Sequence, residues 1–372
     1  MIRVGDDAQV TATGEQGKVT MTNGHAHKVC NKWYLTEELG MKGSPDRPRV
    51  LVVAATGYVA QFVLRGLLSR TAADVHLTYR TRQPMGRLAE LPAHSLDFVE
   101  SGRAAAIVKE VDPDIIVNCA ASAGLGFCQK DPAAAALVNV TGPRALAEAL
   151  AEVAGNKPRL FIHFSTDIVF DGDAEKLYTE AVVPEPLNVY GRVKAEIDAF
   201  LQSQAAPPHA VVLRPTNILG PKPPFGDSGG TKFLQWLDLR LCAHEPSKLF
   251  VDELRNYVWV EDLVDVTLKL ISDFTRSGGE ALPRSLLHCG GPEALNRVEV
   301  AERLAAAKGY SLKYTAEDGS EKPKIIPTPR AAVDLGYPSP LVVRVCSERV
   351  EAYLGRPLRK IADAIQETAA EI

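Results

Sequence analysis

Tyr190 and Lys194 stand four residues apart in a segment of helical period, and together they could move a proton. Asn188 stands where a helix N-cap belongs, and the apolar residues that recur through the segment are Val189, Val193, Ile197, Phe200 and Leu201. Residues four apart share one edge of a helix, so we expect both side chains to project into a cleft. A nearby ammonium favours the phenolate, which predicts that Lys194 lowers the pKa of Tyr190 from ~10. Such a tyrosine carries protons near neutral pH.

A buried strand is predicted upstream of this helix, and it ends in a hydroxyl. Arg159 to Ser165 is an apolar run typical of a parallel strand, and Thr166 and Asp167 follow it directly. Because α/β proteins place their chemistry at the carboxyl edge of the sheet, we expect Thr166 to lie beside Tyr190 and Lys194. The three residues then supply a hydrogen-bond donor, a proton carrier and a cation to one carbonyl oxygen.

These residues resemble the extended short-chain dehydrogenase/reductases, in the branch that contains dTDP-4-dehydrorhamnose reductase and the related regulatory beta subunit of methionine adenosyltransferase. The motif that carries the resemblance is Ser165-Thr166-Asp167-x-Val169-Phe170-Asp171-Gly172, followed by Tyr190-Gly191-x-x-Lys194. It extends over Arg49 to Tyr310 and is strongest from Pro113 to Gly220. It implies a Rossmann-like, doubly wound parallel sheet with a smaller C-terminal substrate lobe. It also implies that Thr166, Tyr190 and Lys194 are catalytic.

Composition narrows the class of protein. The chain has 372 residues with 46% apolar content, enough for one large domain or two. The formal charge of −4 and the lack of a long Lys/Arg cluster argue against a nucleic-acid partner. The sequence has no transmembrane segment and no signal or transit peptide, which favours a cytoplasmic protein. The six cysteines show no metal or redox spacing, so we interpret them as core residues in a reducing compartment.

Residues 1–48 form a polar N-terminal extension. The segment is rich in Gly, Thr and charge, which predicts a flexible or loosely docked tail, with a hairpin over 10–22 as the alternative. It contains His25, His27 and Cys30. A metal site needs four converging ligands and nothing marks a fourth, so we predict no metal site.

From Arg49 onward the sequence alternates between apolar, β-branched runs and helical periods. Predicted strands cover Val50–Ala54, Val75–Tyr79, Leu96–Val99, Ile115–Cys119, Arg159–Ser165 and Val211–Leu213, and predicted helices cover Tyr58–Leu68, Ala104–Val111 and Ala133–Val153. This alternation predicts parallel strands with right-handed crossovers and a ligand at the switch between the first and fourth strands. The resemblance divides the chain into an NADP-binding domain over 49–216 and an interleaved substrate lobe over 217–372.

The predicted lobe follows a loop rich in turn residues. Gly220 to Gly230 is that loop, which is either a lid over the site or a simple connection. The elements assigned to the lobe are a helix over 233–241, an apolar run over 257–260, a helix led by Asp262, a strand over 286–288, a helix over 297–307 and a closing helix over 357–368.

The turn after the first predicted strand keeps one of the three glycines typical of dinucleotide sites. Gly57 is retained and lets the backbone approach a pyrophosphate, whereas Ala54 adds a methyl group where the turn is tightest. The resemblance makes Gly57, Tyr58 and Val59 cofactor-binding residues.

The second predicted strand is followed by arginines. Tyr79-Arg80-Thr81-Arg82 stands where NAD sites carry an acid. Guanidinium groups at Arg80 and Arg82 suit a 2′-phosphate, which favours NADP over NAD, and a solvated basic loop is the alternative.

The resemblance assigns further residues by position. Asp97 and Phe98 flank the adenine, Cys119, Ala120 and Ala121 border the cofactor, Asn139 ties the central sheet together, Tyr190 and Lys194 also bind the cofactor, and Ser122, Asp167 and Asn217 bind substrate. The chain departs from the family at Ser122, Ala123, Gly126, Gln129 and Ile168, which leaves the nucleotide sugar open and removes acidic positions that bind Mg²⁺ in some relatives. His163 and His288 lie in apolar runs, and we interpret them as packing residues.

Two functions remain open at this stage. The first is an NADP-dependent reductase of a keto group on a nucleotide sugar or similar small molecule. The second is a nucleotide-binding regulatory subunit without catalysis, like the methionine adenosyltransferase beta subunit. A homodimer or a partner enzyme is compatible with either. The complete Thr166, Tyr190 and Lys194 set favours the reductase.

Overall fold

The computed structural model describes residues 47–155, 157–203, 205–207, 209–243, 246–278, 282 and 285–372. The predicted tail up to residue 46, with its alternative hairpin and with His25, His27 and Cys30, lies outside these residues. The strands are β1 (Arg49–Val53), β2 (Asp74–Tyr79), β3 (Ala93–Ser95), β4 (Ile115–Asn118), β5 (Leu160–Phe164), β6 (His209–Pro215), β7 (Asn217–Leu219), β8 (Ser247–Phe250), β9 (Leu254–Trp259), β10 (Ser285–Cys289), β11 (Ala294–Leu295), β12 (Lys313–Thr315), β13 (Glu321–Pro323), β14 (Ile325–Thr328) and β15 (Val342–Val343). The α-helices are α1 (Tyr58–Arg70), α2 (Arg103–Val111), α3 (Leu125–Lys130), α4 (Pro132–Ala136), α5 (Gly142–Ala154), α6 (Val189–Gln202), α7 (Phe233–Cys242), α8 (Val260–Ser277), α9 (Arg297–Lys308), α10 (Glu348–Leu354) and α11 (Ile361–Thr368).

In the described part of the chain, seven strands form the central sheet, in the order β10-β6-β5-β4-β1-β2-β3. Every neighbouring pair is parallel. β4 and β5 are buried along their whole length, which explains their continuous apolar sequences. The predicted doubly wound parallel sheet is confirmed, and the order of strands reverses between β1 and β4, as the alternation predicted.

Helices cover both faces of this sheet. On one face α1 packs against α8, and Gly66 allows the close approach, because a Cβ there would lie 2.6 Å from Val264 Cγ1. On the other face α2, α5 and α6 bury Ile107, Leu146 and Ile197 in a second core. The two cores bury alternate residues of β4 and β5 on opposite faces of the sheet, which fixes the positions of these strands.

The smaller lobe is built around β9. Among the described residues β7, β11 and β15 pair with β9, while β14 pairs with β8, and β12 with β13. Helices α7, α9 and α11 bury their apolar faces beside β9. Two elements assigned to this lobe from the sequence lie elsewhere. β10 pairs in parallel with β6 in the central sheet, and α8 covers that sheet. The apolar sequence of β10 is compatible with a strand in the lobe or in the central sheet, and only its pairing with β6 shows which of the two it joins.

Two predicted elements have different bounds. The third strand ends at Ser95, because Asp97 starts a turn in which its Oδ1 accepts the Val99 N–H at 3.2 Å. The predicted helix over 133–153 is interrupted by a π-helical turn from Leu137 to Thr141, which contains Asn139. Such turns often occur at functional sites. None of the helices in the described ranges is long and apolar enough to span a bilayer.

Candidate active site

The site is organised by α6, which begins beside the carboxyl edge of β5. Asn188 is the N-cap, as predicted, and its side chain accepts the Gly191 N–H at 2.9 Å. Tyr190, Lys194 and Asp198 follow at intervals of four residues, and all three are buried. The spacing therefore aligns a phenol, an amine and a carboxylate along one face of the helix, against the ends of the strands.

Thr166 and Tyr190 come together as the sequence predicted. Thr166 lies close enough to Tyr190 to affect its pKa, but its hydroxyl is engaged locally. Thr166 Oγ1 accepts the Ile168 N–H at 3.2 Å and donates to Asp167 Oδ1 at 3.3 Å. The predicted pKa of Tyr190 is wrong for this structure. Burial raises it above its ordinary value, the Asp167 charge raises it further, and the nearby Thr166 side chain opposes both only in part. In this state the phenol holds its proton.

Lys194 does not contact Tyr190 in the way that the spacing suggested. Its Nζ lies 2.7 Å from His163 Nε2 and donates to the Phe164 carbonyl at 2.7 Å. The side chain is fully buried, and burial lowers its pKa to about 8 although the Asp198 charge acts in the opposite direction. The amine is therefore engaged with β5, and this is why it does not lower the pKa of the phenol.

Asp198 was missed from the sequence. Its Oδ2 accepts hydrogen bonds from Ser165 Oγ at 2.8 Å and from Arg214 Nε at 2.8 Å. The carboxylate thus ties the ends of β5 and β6 to α6 directly beneath the site. Its position four residues after Lys194 was the available signal.

Asp167, predicted to bind substrate, is buried against an arginine of the smaller lobe. Its Oδ2 lies 3.6 Å from Arg255 Nη1, and neither atom has a hydrogen-bond partner among the described residues. Burial raises the pKa of Asp167, and the Arg255 charge opposes that shift. Arg255 stands in β9, far along the sequence, and nothing in the sequence indicated it. Asn217, the third predicted substrate residue, begins β7 and pairs in register with Tyr257 of β9.

A cavity of about 450 Å³ opens at the switch between β1 and β4. Its walls contain six of the predicted cofactor and substrate residues: Arg80, Asp97, Phe98, Ala120, Ala121 and Ser122. Ala54, Tyr79 and Phe127 also line it. The structure therefore brings together the residues after β1, β2, β3 and β4, which the sequence placed around a dinucleotide.

Other predicted cofactor residues lie around this cavity and outside its lining. Gly57 is the N-cap of α1. The Tyr58 hydroxyl donates to the Pro221 carbonyl at 2.9 Å, and Val59 is partly buried against the core. Cys119 follows β4, and burial raises the pKa of its thiol.

Asn139 supports the cavity wall. Its Nδ2 donates to the Ala135 carbonyl at 2.9 Å and to the Ser122 carbonyl at 3.2 Å, while its Oδ1 accepts the Ser122 N–H. The π-helical turn presents this amide to the chain after β4. Asn139 thus joins helix and sheet, as the resemblance implied.

Ala54 adopts a backbone conformation that favours glycine. Its φ is +61°, in the left-handed region, at the end of β1. Its carbonyl accepts the Gly57 N–H at 2.9 Å, which closes the tight turn before α1. The first glycine of the usual motif is replaced here while its geometry is kept, so the turn carries backbone strain.

The loop over 220–230 packs against this turn. Gln61 Oε1 accepts the Phe225 N–H at 2.8 Å, and Arg82 Nη1 donates to the Asp227 carbonyl at 2.9 Å. A second contact joins Arg82 Nη1 to Asp227 Oδ2 at 3.2 Å. Arg82, predicted to bind a 2′-phosphate, is thus paired with a carboxylate, whereas Arg80 is exposed at the cavity.

The buried histidines and the cysteines test two further predictions. His163 and His288 are fully buried, as expected, but His163 pairs with Lys194.

The cysteines differ in their burial. Cys128 and Cys289 are core residues, Cys119 and Cys346 are partly buried, and Cys242 is exposed, so the core assignment is wrong for Cys242. Cys30 lies outside the described residues.

A parallel sheet of this strand order, with a tyrosine and a lysine one helical turn apart at its carboxyl edge, gives the protein the fold of the extended short-chain dehydrogenase/reductases. Within that class the chain belongs to the RmlD substrate binding domain family, which matches residues 48–372.

Named relatives include reductases and a regulatory subunit. The probable low-salt glycan biosynthesis reductase Agl14 of Haloferax volcanii is 30% identical over 220 residues, which are 59% of this chain and 69% of that protein. The dTDP-4-dehydrorhamnose reductase of Shigella flexneri is 37% identical over 131 residues, 34% of this chain and 42% of that enzyme. The methionine adenosyltransferase 2 subunit beta of Xenopus laevis is 26% identical over 264 residues, 71% of this chain and 72% of that subunit.

The fold is also that of a solved reductase. The dTDP-4-dehydrorhamnose reductase of Bacillus anthracis, solved in complex with NADP, superposes with a TM-score of 0.67 at 18% identity. The superposition covers 88% of this chain and 100% of that enzyme's chain. At this identity the likeness concerns the fold.

Proposed function

We propose that the protein is an NADPH-dependent reductase of a keto group on a nucleotide sugar or a similar small molecule. The observation that carries the proposal is the position of Thr166 at the end of β5 and of Tyr190 and Lys194 on the buried face of α6. These three residues are outside the lining of the cavity between β1 and β4, which opens at the carboxyl edge of the same sheet. The reductases among the named relatives support it. In this proposal residues 49–216 hold the cofactor and residues 217–372 hold most of the substrate.

The cavity has the chemistry that an adenosine 2′-phosphate needs. Phe98 offers an aromatic wall, and Arg80 is exposed where NAD sites carry an acid. A guanidinium pairs with phosphate through charge-assisted hydrogen bonds. The N-terminus of α1, at Gly57, Tyr58 and Val59, would face the pyrophosphate with the positive end of the helix dipole. The Gly57 N–H itself closes the turn by donating to the Ala54 carbonyl. We therefore expect NADPH to bind more tightly than NADH.

NADPH, when bound, would supply the hydride that adds to the carbonyl carbon. Tyr190 would donate its phenolic proton to the carbonyl oxygen, so that the ketone becomes an alcohol. Thr166 would donate a hydrogen bond to the same oxygen and stabilise the charge that develops there. Lys194 would bind the ribose and stabilise the phenolate. The raised pKa of Tyr190 suits this direction, because it keeps the donor protonated.

Tyr190→Phe tests the proposal at the proton donor. The substitution removes one oxygen and keeps the ring in its apolar cluster. With a 4-keto nucleotide sugar, we expect kcat for NADPH oxidation to fall by ~10²–10⁴ with little change in KM. Tyr310→Phe is the matched control, because its hydroxyl bonds to Asp238 in the smaller lobe. Unchanged turnover by Tyr190→Phe would exclude Tyr190 as the donor.

A second candidate function is a nucleotide-binding regulatory subunit. It is favoured because two of the site residues bind to other protein groups instead of pointing towards a ligand. Lys194 donates to the Phe164 carbonyl of β5, and Asp167 faces Arg255. The similarity to the Xenopus laevis beta subunit adds support. Sedimentation and kinetics with purified methionine adenosyltransferase would separate the two functions. A stable complex with altered kinetics, and no keto-sugar turnover, would favour the subunit, whereas a chain that stays uncomplexed would contradict it.

A further inference from the structure

Three polar side chains form a buried row beneath the site, across β4, β5 and α6. Asn118, His163 and Lys194 are each fully buried. Asn118 Nδ2 lies 2.9 Å from His163 Nδ1, and His163 Nε2 lies 2.7 Å from Lys194 Nζ. The row ends at the Phe164 carbonyl, which accepts from Nζ at 2.7 Å. Because water does not reach these atoms, each hydrogen must point along the row in a definite direction.

The backbone N–H of Ala120 determines in which direction the hydrogens along the row point. The Ala120 N–H donates to Asn118 Oδ1 at 3.2 Å, so the amide oxygen is turned towards the backbone. The atom facing His163 is then Nδ2, which is a donor, and His163 Nδ1 must accept. A neutral imidazole that accepts at Nδ1 carries its hydrogen on Nε2. The ring therefore presents an N–H to Lys194.

An ammonium cannot face this N–H, because it has donors and no lone pair. A neutral amine can, since it accepts from Nε2–H and still donates to the Phe164 carbonyl. Two carboxylates lie near the row. The Asp198 charge on α6 favours the ammonium form of Lys194, but Asp198 is itself paired with Arg214 on β6. The Asp167 charge raises the pKa of Tyr190. Burial lowers the pKa of Lys194 to about 8 and that of His163 well below its ordinary value, so the uncharged amine that this geometry requires predominates above about pH 8.

We infer that His163, oriented by Asn118, is a positioning residue that, in mildly alkaline solution, holds Lys194 on β5 as an uncharged amine until the dinucleotide binds. The inference rests on the proposed function for the identity of the ligand, NADPH. On binding, Lys194 exchanges the His163 N–H for the ribose hydroxyls and takes one proton from solvent to become an ammonium. The protein thereby avoids burying an unpaired charge in the empty site, which would be strongly unfavourable.

The first test reads the row without any ligand or activity. We expect ¹⁵N NMR of the wild type at pH 9 to show His163 as the Nε2–H tautomer. His288 is an internal control of opposite polarity, since its Nδ1 lies 3.2 Å from the Tyr178 carbonyl and must carry the hydrogen. A His163 with its hydrogen on Nδ1, or a doubly protonated ring, would overturn the inference even if NADPH binds and is oxidised.

The second test uses calorimetry of NADPH binding at pH 9 in buffers of different ionisation enthalpy. The wild type should take up about one proton, because the free amine is mostly neutral there. In Asn118→Asp both carboxylate oxygens accept, so His163 should carry its hydrogen on Nδ1, Lys194 should already be charged, and the uptake should disappear. Binding without proton uptake by the wild type would contradict the inference. Failure of NADPH to bind would contradict the proposed function, and the NMR result would then decide whether the inference about His163 and Lys194 holds. The NMR result also decides if Asn118→Asp does not fold.

Discussion

Replacing Ala54 with glycine should stabilise the protein, although it removes a methyl group. At φ +61° an L-residue other than glycine is strained by about 1–2 kcal/mol. Glycine relieves that strain and loses about 0.4–1 kcal/mol through the greater freedom of its unfolded chain. The Ala54 N–H to Thr78 Oγ1 bond, at 3.1 Å, involves the backbone and is retained. The difference predicts a gain of up to about 1.6 kcal/mol in the free energy of unfolding, with a central value of about 0.8 kcal/mol.

Chemical denaturation gives the required precision, with Ala55→Gly as the matched control. Ala55 is the next residue, is fully buried and is not among the described non-glycine residues with positive φ. Its replacement should cost about 1–2 kcal/mol, from the lost methyl burial and the added chain entropy. The two substitutions therefore have opposite expected signs. If Ala54→Gly destabilises as much as Ala55→Gly, the backbone strain at the β1 turn is not real.

Three further changes test the site. Asp227→Asn should free Arg82 from its exposed ion pair, and calorimetry should show severalfold tighter NADPH binding at low salt with NADH unchanged; equal effects on both would contradict this role. A Cβ at Gly142 would lie 2.4 Å from Phe98 Cγ, so Gly142→Ala should displace that ring and weaken NADPH binding about tenfold, and unaltered affinity would show that Phe98 is not used. Burial lowers the pKa of Lys194 from 10.5 to about 8, so the unfolded state binds the extra proton between these values and stability rises with pH. Measured against Lys194→Met, the wild type should gain about 2 kcal/mol from pH 7.5 to 9.5, and a flat difference would mean that Lys194 titrates normally.

Local patterns in the sequence determined most of the central sheet and the core of the site. Apolar, β-branched runs predicted the strands, and the helical period with Asn188 as N-cap predicted α6, because both signals depend on neighbouring residues. The spacing of Tyr190 and Lys194, and the position of Thr166 at a strand end, likewise survive in the structure. The replacement of the first motif glycine by Ala54 was visible as well, although its strained φ was not.

The tertiary structure alone decided which of these groups interact. His163 meets Lys194 across 31 residues, and Arg82 meets Asp227 across 145 residues, through pairings that leave no period in the sequence. Arg255 reaches Asp167 because the smaller lobe folds back over the sheet. The pKa of Tyr190 also depends on the tertiary structure. Its spacing to Lys194 predicted a lowered pKa, whereas burial and the Asp167 charge raise it. The amine of Lys194 donates to the Phe164 carbonyl instead, and only the folded chain supplies these surroundings.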